Sequence, residues 1–169
     1  AARVDPGYGM DPVWYAIIDC AQDPRLVDLV RSCREHLCLF KGRDLDPRLL
    51  AASPWLVRID AAEPLLGVWQ QHGHGASWGL MVLSDMSIER LQRHFRRFLQ
   101  ARLPDGMLAL FRFYDPRVFN TFIRAATPEE RVPWFSGVQQ FSVEANGGSA
   151  VHHYRLVEGR LFDGANLVG

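Results

Sequence analysis

Lysine is nearly missing from this chain of 169 residues: of its 19 basic residues, only Lys41 is not arginine. Arginine carries a planar, permanently charged fork suited to bidentate and interface contacts, although genome base composition produces the same bias. An excess of either charge is missing as well. Nineteen acidic residues balance the basic ones, for a net charge of +0. No global field draws the chain to nucleic acid or to a membrane surface, and neither is expected as a partner. Cysteine is scarce. Cys20, Cys33 and Cys38 are odd in number, in a chain long enough to bury a core without bridges. They read as free thiols of a cytoplasmic protein. No apolar run approaches the roughly 18 residues of a membrane span. The opening Ala1–Met10 lacks the apolar core of a signal peptide. Residues 1–12 read as a flexible tail or vector remnant, with Met10 a candidate native start, and residues 13–169 as a single domain.

What is present alternates. Trp14–Asp19, Trp55–Ile59 and Trp78–Leu83 are short apolar runs, read as strands. Asp23-Pro24 opens a helix whose Leu26, Leu29, Val30, Cys33 and Leu37 share one face, and Gly42 stops the segment. Asp46-Pro47 starts a helical turn through Ala52, and Ala62–Gln71 reads as a longer helix. Ser87–Leu103 is the clearest helix, with Ile88, Leu91, Phe95, Phe98 and Leu99 as its core stripe and the Pro104-Asp105-Gly106 turn at its end. Thr127-Pro128-Glu129-Glu130 has the form of a capping box. Val138–Val143 and Ala150–Val157 flank Asn146-Gly147, a hairpin turn signal. Strand–helix repetition followed by a hairpin predicts an α/β fold. Its central sheet is expected to be mostly parallel or mixed, with helices on both faces and a C-terminal β-hairpin. Trp14–Asp19, Trp78–Leu83 and Met107–Phe113 are expected as inner strands.

Familiar catalytic and cofactor patterns fail on their context. Gly75-Ala76-Ser77-Trp78-Gly79 matches the nucleophile-elbow pattern, with His72 and His74 just upstream. That mechanism needs a turn from strand into helix, whereas here a helix precedes and a strand follows. A hydrolase built on the His72–Ser77 loop therefore stands only as an alternative. Cys33, His36 and Cys38 with His72 and His74 contain no paired knuckle spacing, and no metal site is expected. Cys20-Ala21-Gln22-Asp23-Pro24 follows the first strand without a glycine, so no nucleotide cofactor is expected.

The densest chemistry lies in Leu108–Arg117. Leu108, Leu110, Phe111 and Phe113 read as a buried strand that ends in Arg112, Tyr114 and Asp115. Asp115-Pro116 then reads as an N-cap and a proline at the first helical position. Arg112 and Arg117 flank the Asp115 carboxylate, and a small-anion site near Arg112 is a further alternative. Arg90, Arg93 and Arg97 share one face of the Ser87–Leu103 helix, with His94 beside them. That face suits either water or the acidic surface of a partner. Arg90, Arg93, Arg97, Arg112, Tyr114, Asp115 and Arg117 are the candidate partner-binding residues.

Several short pieces, in order, carry a resemblance. They are Tyr15-Ala16-Ile17-Ile18-Asp19-Cys20-Ala21, Leu39-Phe40-Lys41-Gly42, Ser53-Pro54-Trp55-Leu56-Val57 and Trp78-Gly79-Leu80 with Ser84. His94-Phe95-Arg96-Arg97-Phe98-Leu99, Leu103-Pro104-Asp105-Gly106 and Phe111-Arg112-Phe113-Tyr114-Asp115-Pro116-Arg117 complete the series. From Trp14 to Gly137 the chain resembles the type VI secretion effector chaperones, or adaptors. The resemblance implies a non-enzymatic cytoplasmic protein without catalytic residues, cofactor or metal. It implies two partners, a toxin effector protein and the VgrG spike protein onto which the effector is loaded. Many such proteins continue into a further helical lobe that helps choose the effector. This chain stops at Gly169, so that lobe is expected to be absent or trimmed.

Overall fold

A computed structural model describes residues 11–40 and 45–169. The Ala1–Met10 tail and the Gly42 stop lie outside the described residues. Among those described, the strands are β1 Val13–Asp19, β2 His36–Cys38, β3 Pro54–Ile59, β4 Gly79–Ser84, β5 Gln100–Arg102, β6 Leu108–Leu110, β7 Val138–Ala145, β8 Ala150–Val157, β9 Arg160–Asp163 and β10 Asn166–Leu167. The α-helices are α1 Leu26–Arg31, α2 Pro47–Ala51, α3 Pro64–Val68, α4 Ile88–Arg96, α5 Pro116–Ala125 and α6 Pro128–Arg131.

Eight strands form one sheet in the order β10-β9-β8-β7-β4-β1-β3-β2. Each of its pairings is antiparallel. The expected parallel or mixed sheet is therefore wrong. The reason lies in strand order. β3 and β4 are joined through α3 and point the same way, as a strand–helix–strand alternation implies. β1 is inserted between them, antiparallel to both. Alternation along the chain fixes the direction of successive strands, not which strands become neighbours.

Side chains alternate across the sheet and fill two cores. Tyr15, Ile17, Leu56, Leu80, Val82, Phe141 and Tyr154 face α4 and α5, which add Leu91, Phe95, Phe119 and Ile123. Ala16, Ile18, Val57 and Ile59 face α1 and α3, which add Leu26, Val30 and Leu65. β1 serves both cores, and Tyr15 to Ile18 are at most 1% exposed. That explains its unbroken apolar run.

Several elements differ from the sequence reading, three of them in ways that shape the surface. α1 ends at Arg31, and Leu37 belongs to β2, paired with Leu56 of β3. α4 ends at Arg96, and the chain turns through Phe98 and Leu99 into β5. Met107–Phe113 is not an inner strand. β6 pairs only with β5 in a separate ribbon, with Leu108 56% and Leu110 50% exposed. The Pro104-Asp105-Gly106 turn closes this ribbon, with the Leu103 amide donating to the Met107 carbonyl at 2.8 Å. No α-helix among the described residues is long and apolar enough to cross a membrane.

Candidate interaction surface

The strand-to-helix corner forms as its residue types dictate. Asp115 caps α5, accepting from the Arg117 amide at 2.9 Å, and Pro116 takes the first position, where no amide is needed. The Arg117 guanidinium folds back onto the same carboxylate through Nε at 3.0 Å and Nη2 at 2.7 Å. Burial alone would raise the Asp115 carboxyl; the Arg117 side-chain and amide bonds outweigh it and hold the group below the ordinary carboxylate value. Replacing Asp115 with alanine should cost about 0.5–2 kcal/mol, the range of lost N-caps. The sign with pH follows from the lowered value. The stabilisation is present above the unfolded value of about 3.9 and fades as pH falls below it. The variant should therefore show a lower melting temperature at neutral pH and a difference that shrinks in acid. An unchanged melting temperature at pH 7 would rule out the cap as a stabilising element.

Arg112 turns away from Asp115. Its Nη2 donates at 2.8 Å to Asp19, a fully buried carboxylate at the end of β1. Asp19 also accepts from the Ala21 amide at 3.1 Å and from Gln22 Nε2 at 2.9 Å, capping the short 3-10 turn Cys20–Gln22. Arg112 thus spends its charge on a buried partner, which argues against a free anion site there. Tyr114 is 2% exposed, and its hydroxyl is pushed up to about 12, by burial first and the Asp19 charge second. Tyr114 and Asp115, two of the expected partner-binding residues, are therefore both buried side chains with little of their surface open to solvent.

On α4 the expectation divides differently. Ser87 caps the helix through the Arg90 amide at 3.3 Å. Arg90, Arg93 and Arg97 are exposed. None of the three forms an ion pair among the described residues. His94 does not join them on the surface. It is 5% exposed, with Nε2 3.2 Å from the Trp134 carbonyl and Nδ1 2.9 Å from Arg97 Nη2. Its burial, chiefly, lowers its proton affinity, and the neutral ring donates to Trp134 and accepts from Arg97. The structure thus joins Arg112 to Asp19, Arg117 to Asp115 and Arg97 to His94. No hydrogen bond or ion pair among the described residues links the α4 arginines to the corner.

The His72–Ser77 loop is tied down by Glu144, which accepts from the Gly75 amide at 3.0 Å and the Ser77 amide at 2.9 Å. Ser77 leads into β4 rather than a helix, and no hydrogen bond connects it to a histidine among the described residues. Cys33 is buried, and burial foremost pushes its thiol up to about 11. Among the described residues no group of three or more metal-ligating side chains gathers.

Two features had no sequence signal. One is a polar network binding α5 to β8 and β9. Arg124 donates to the Tyr154 hydroxyl at 3.0 Å and to Asp163 at 3.2 Å, and His152 Nδ1 lies 2.6 Å from Asp163. It borders a cleft of about 480 Å³ between α5 and the β7–β8 turn. The other is the exposed apolar ribbon. Pairings between residues far apart in the chain leave no local pattern.

Fold and surface together define an α/β protein on an antiparallel sheet that carries unpaired arginines on an outer helix. The family to which it belongs is shown directly: residues 14–132, more than two thirds of the chain, match the Domain of unknown function (DUF4123), and the protein is a member of that family. No curated protein and no solved structure matches it significantly.

Proposed function

We propose that this protein is a non-enzymatic adaptor of a type VI secretion system. It holds a toxin effector in the cytoplasm and helps load it onto the VgrG spike. The family match over residues 14–132 falls on the same stretch, Trp14 to Gly137, that resembles such adaptors. The single observation that carries the reading is the α4 face. Arg90, Arg93 and Arg97 stand exposed, with no ion pair among the described residues. A folded surface that keeps planar cations without a carboxylate of their own is suited to those of a partner.

The test has two stages. Affinity capture from a lysate of the source bacterium, read by mass spectrometry, should retain one toxin and one spike protein. The recovered partner is then bound to the Arg93→Glu/Arg97→Glu variant. Steering charges act mainly on the association rate, so that rate should fall about tenfold or more at low salt and lose its salt dependence. Both side chains lie off the Leu91–Phe95 core stripe, so the variant should stay folded, with a melting temperature lowered only by loss of the Arg97–His94 bond. A wild-type association rate at low salt would make α4 an ordinary solvated face.

A further inference from the structure

The β5–β6 ribbon leaves polar backbone and apolar side chains open at the same residues. The Leu103 amide donates to the Met107 carbonyl, and the Phe111 amide to the Leu99 carbonyl at 2.7 Å. These bonded pairs fix the alternation of the antiparallel ladder. Ala101 and Ala109 face each other as a bonded pair. Gln100–Leu110 and Arg102–Leu108 are the non-bonded pairs, with backbone groups pointing outward. No further strand pairs with either edge among the described residues. The side chains of Leu108, Leu110, Gln100 and Arg102 share one face of the ribbon, and all four are exposed. Natural sheets normally shorten, charge or cover such an edge. This one carries leucines, and Met107 and Leu103 extend the apolar surface at the turn, 65% and 44% exposed.

Beside the ribbon lies a pocket of about 410 Å³, walled by Phe98, Phe111, Phe122 and Trp134. Phe98 and Trp134 stack with centroids 4.0 Å apart, so the wall is preformed. Arg97 stands at the same pocket, its guanidinium 5.6 Å from the Phe98 ring. Glu130 is the acidic residue on the pocket wall, and Asp105 in the turn accepts from the Met107 amide at 2.9 Å.

We infer that the open β5–β6 ribbon receives an extended segment of a partner protein, with apolar side chains against Leu108, Leu110 and the aromatic pocket beside β5 and acidic residues toward Arg97 and Arg102. Strand addition supplies backbone bonds for affinity, and side-chain pockets supply selectivity. The charges choose the occupant. Arg102 shares the open face with the leucines, and the α4 arginines extend the cationic surroundings. A second copy pairing edge to edge would add a second set of the same cations, whereas an acidic strand is complementary. The inference rests on the adaptor reading only for the partner's identity.

The experiment uses a synthetic fluorescein-labelled peptide of alternating leucine and valine flanked by glutamates, read by anisotropy against the whole protein. It should bind at least tenfold more tightly than the same peptide with lysine for glutamate. Leu108→Ser/Leu110→Ser, on exposed side chains that leave the core alone, should weaken it at least tenfold without lowering the melting temperature. Equal affinity for the two peptides, no binding, or binding indifferent to the serine pair would each overturn the inference. So would sedimentation that shows a dimer of the parent lost in the serine variant. The outcomes also separate the two proposals. If the captured effector or spike binds the serine variant normally but fails with Arg93→Glu/Arg97→Glu, the adaptor reading stands and the docking edge falls. If the acidic peptide binds as described but capture yields no secretion partner, the edge stands and the adaptor reading falls.

Discussion

Replacing Arg112 with alanine should lower the unfolding free energy by about 2–3 kcal/mol, read from urea denaturation with an unchanged m-value. The Asp19 carboxylate that Arg112 serves is buried, with its side chain 1% exposed, while the guanidinium is 48% exposed. Removing the cation leaves a carboxylate without its charged partner at a site that is only narrowly open to water. Breaking a fully buried pair this way costs about 3–5 kcal/mol, and the loss here falls at or below the bottom of that range because the guanidinium is half exposed and Asp19 keeps the Ala21 and Gln22 donors. Asp19→Asn should cost less, about 1 kcal/mol, since no charge is stranded and the half-exposed guanidinium regains water. In the double variant most of the Arg112→Ala penalty should disappear, because the two groups share one interaction. A loss below about 0.5 kcal/mol for Arg112→Ala, or strict additivity in the cycle, would show that the pair is ornamental. The outcome bears on function: a paired, structural Arg112 leaves recognition to the α4 arginines and the ribbon.

How much of this was legible follows from the range over which each feature is determined. Three helix starts could be read locally. Asp46-Pro47, Asp115-Pro116 and Thr127-Pro128 each place an acceptor before a residue without an amide, and each is built so. The Asn146-Gly147 turn between β7 and β8 was equally local. Sheet direction was not, because the insertion of β1 between β3 and β4 leaves no mark on any one strand. Nor was the ribbon: three apolar residues in a row record an aversion to water, not the element that covers them. At the corner the cap was visible and the ion pair was not. Arg112 has a carboxylate three residues away in Asp115, yet it bonds with one 93 residues away. The sequence held both arginine and aspartate in view but not the β1 end that brings Asp19 alongside. On α4 the spacing correctly placed Arg90, Arg93 and Arg97 outward, while His94 was pulled inward by a carbonyl from Trp134.

Gly79→Ala should be the most damaging single-methyl change in the chain, costing more than about 3 kcal/mol or abolishing the folded state. Gly79 is the last glycine of the sequence that mimics a nucleophile elbow, but its role is in the sheet. It begins β4 opposite Ile18 of the central strand β1. A Cβ built on it would overlap the Ile17 carbonyl oxygen and crowd the Ile18 backbone. Those atoms are main chain and belong to a strand packed on both faces, so no rotamer change relieves the clash. Relief requires β1 and β4 to part, and with them the ladder bonds and the cores they support. The first glycine of the motif is fixed by a different constraint. Gly75 sits at φ +76° with its Cα turned toward the Gly147 carbonyl, where a side chain would again collide with backbone. Ser77, between them, contributes its amide to Glu144. Ser77→Ala should therefore leave the melting temperature within about 0.5 kcal/mol equivalent, as surface substitutions usually do, while Gly79→Ala loses cooperative unfolding by circular dichroism. If Gly79→Ala instead folds with parent stability and Ser77→Ala abolishes partner loading, the motif is chemical after all. The glycines would then have to be explained by catalysis at the loop rather than by the close approach of two strands.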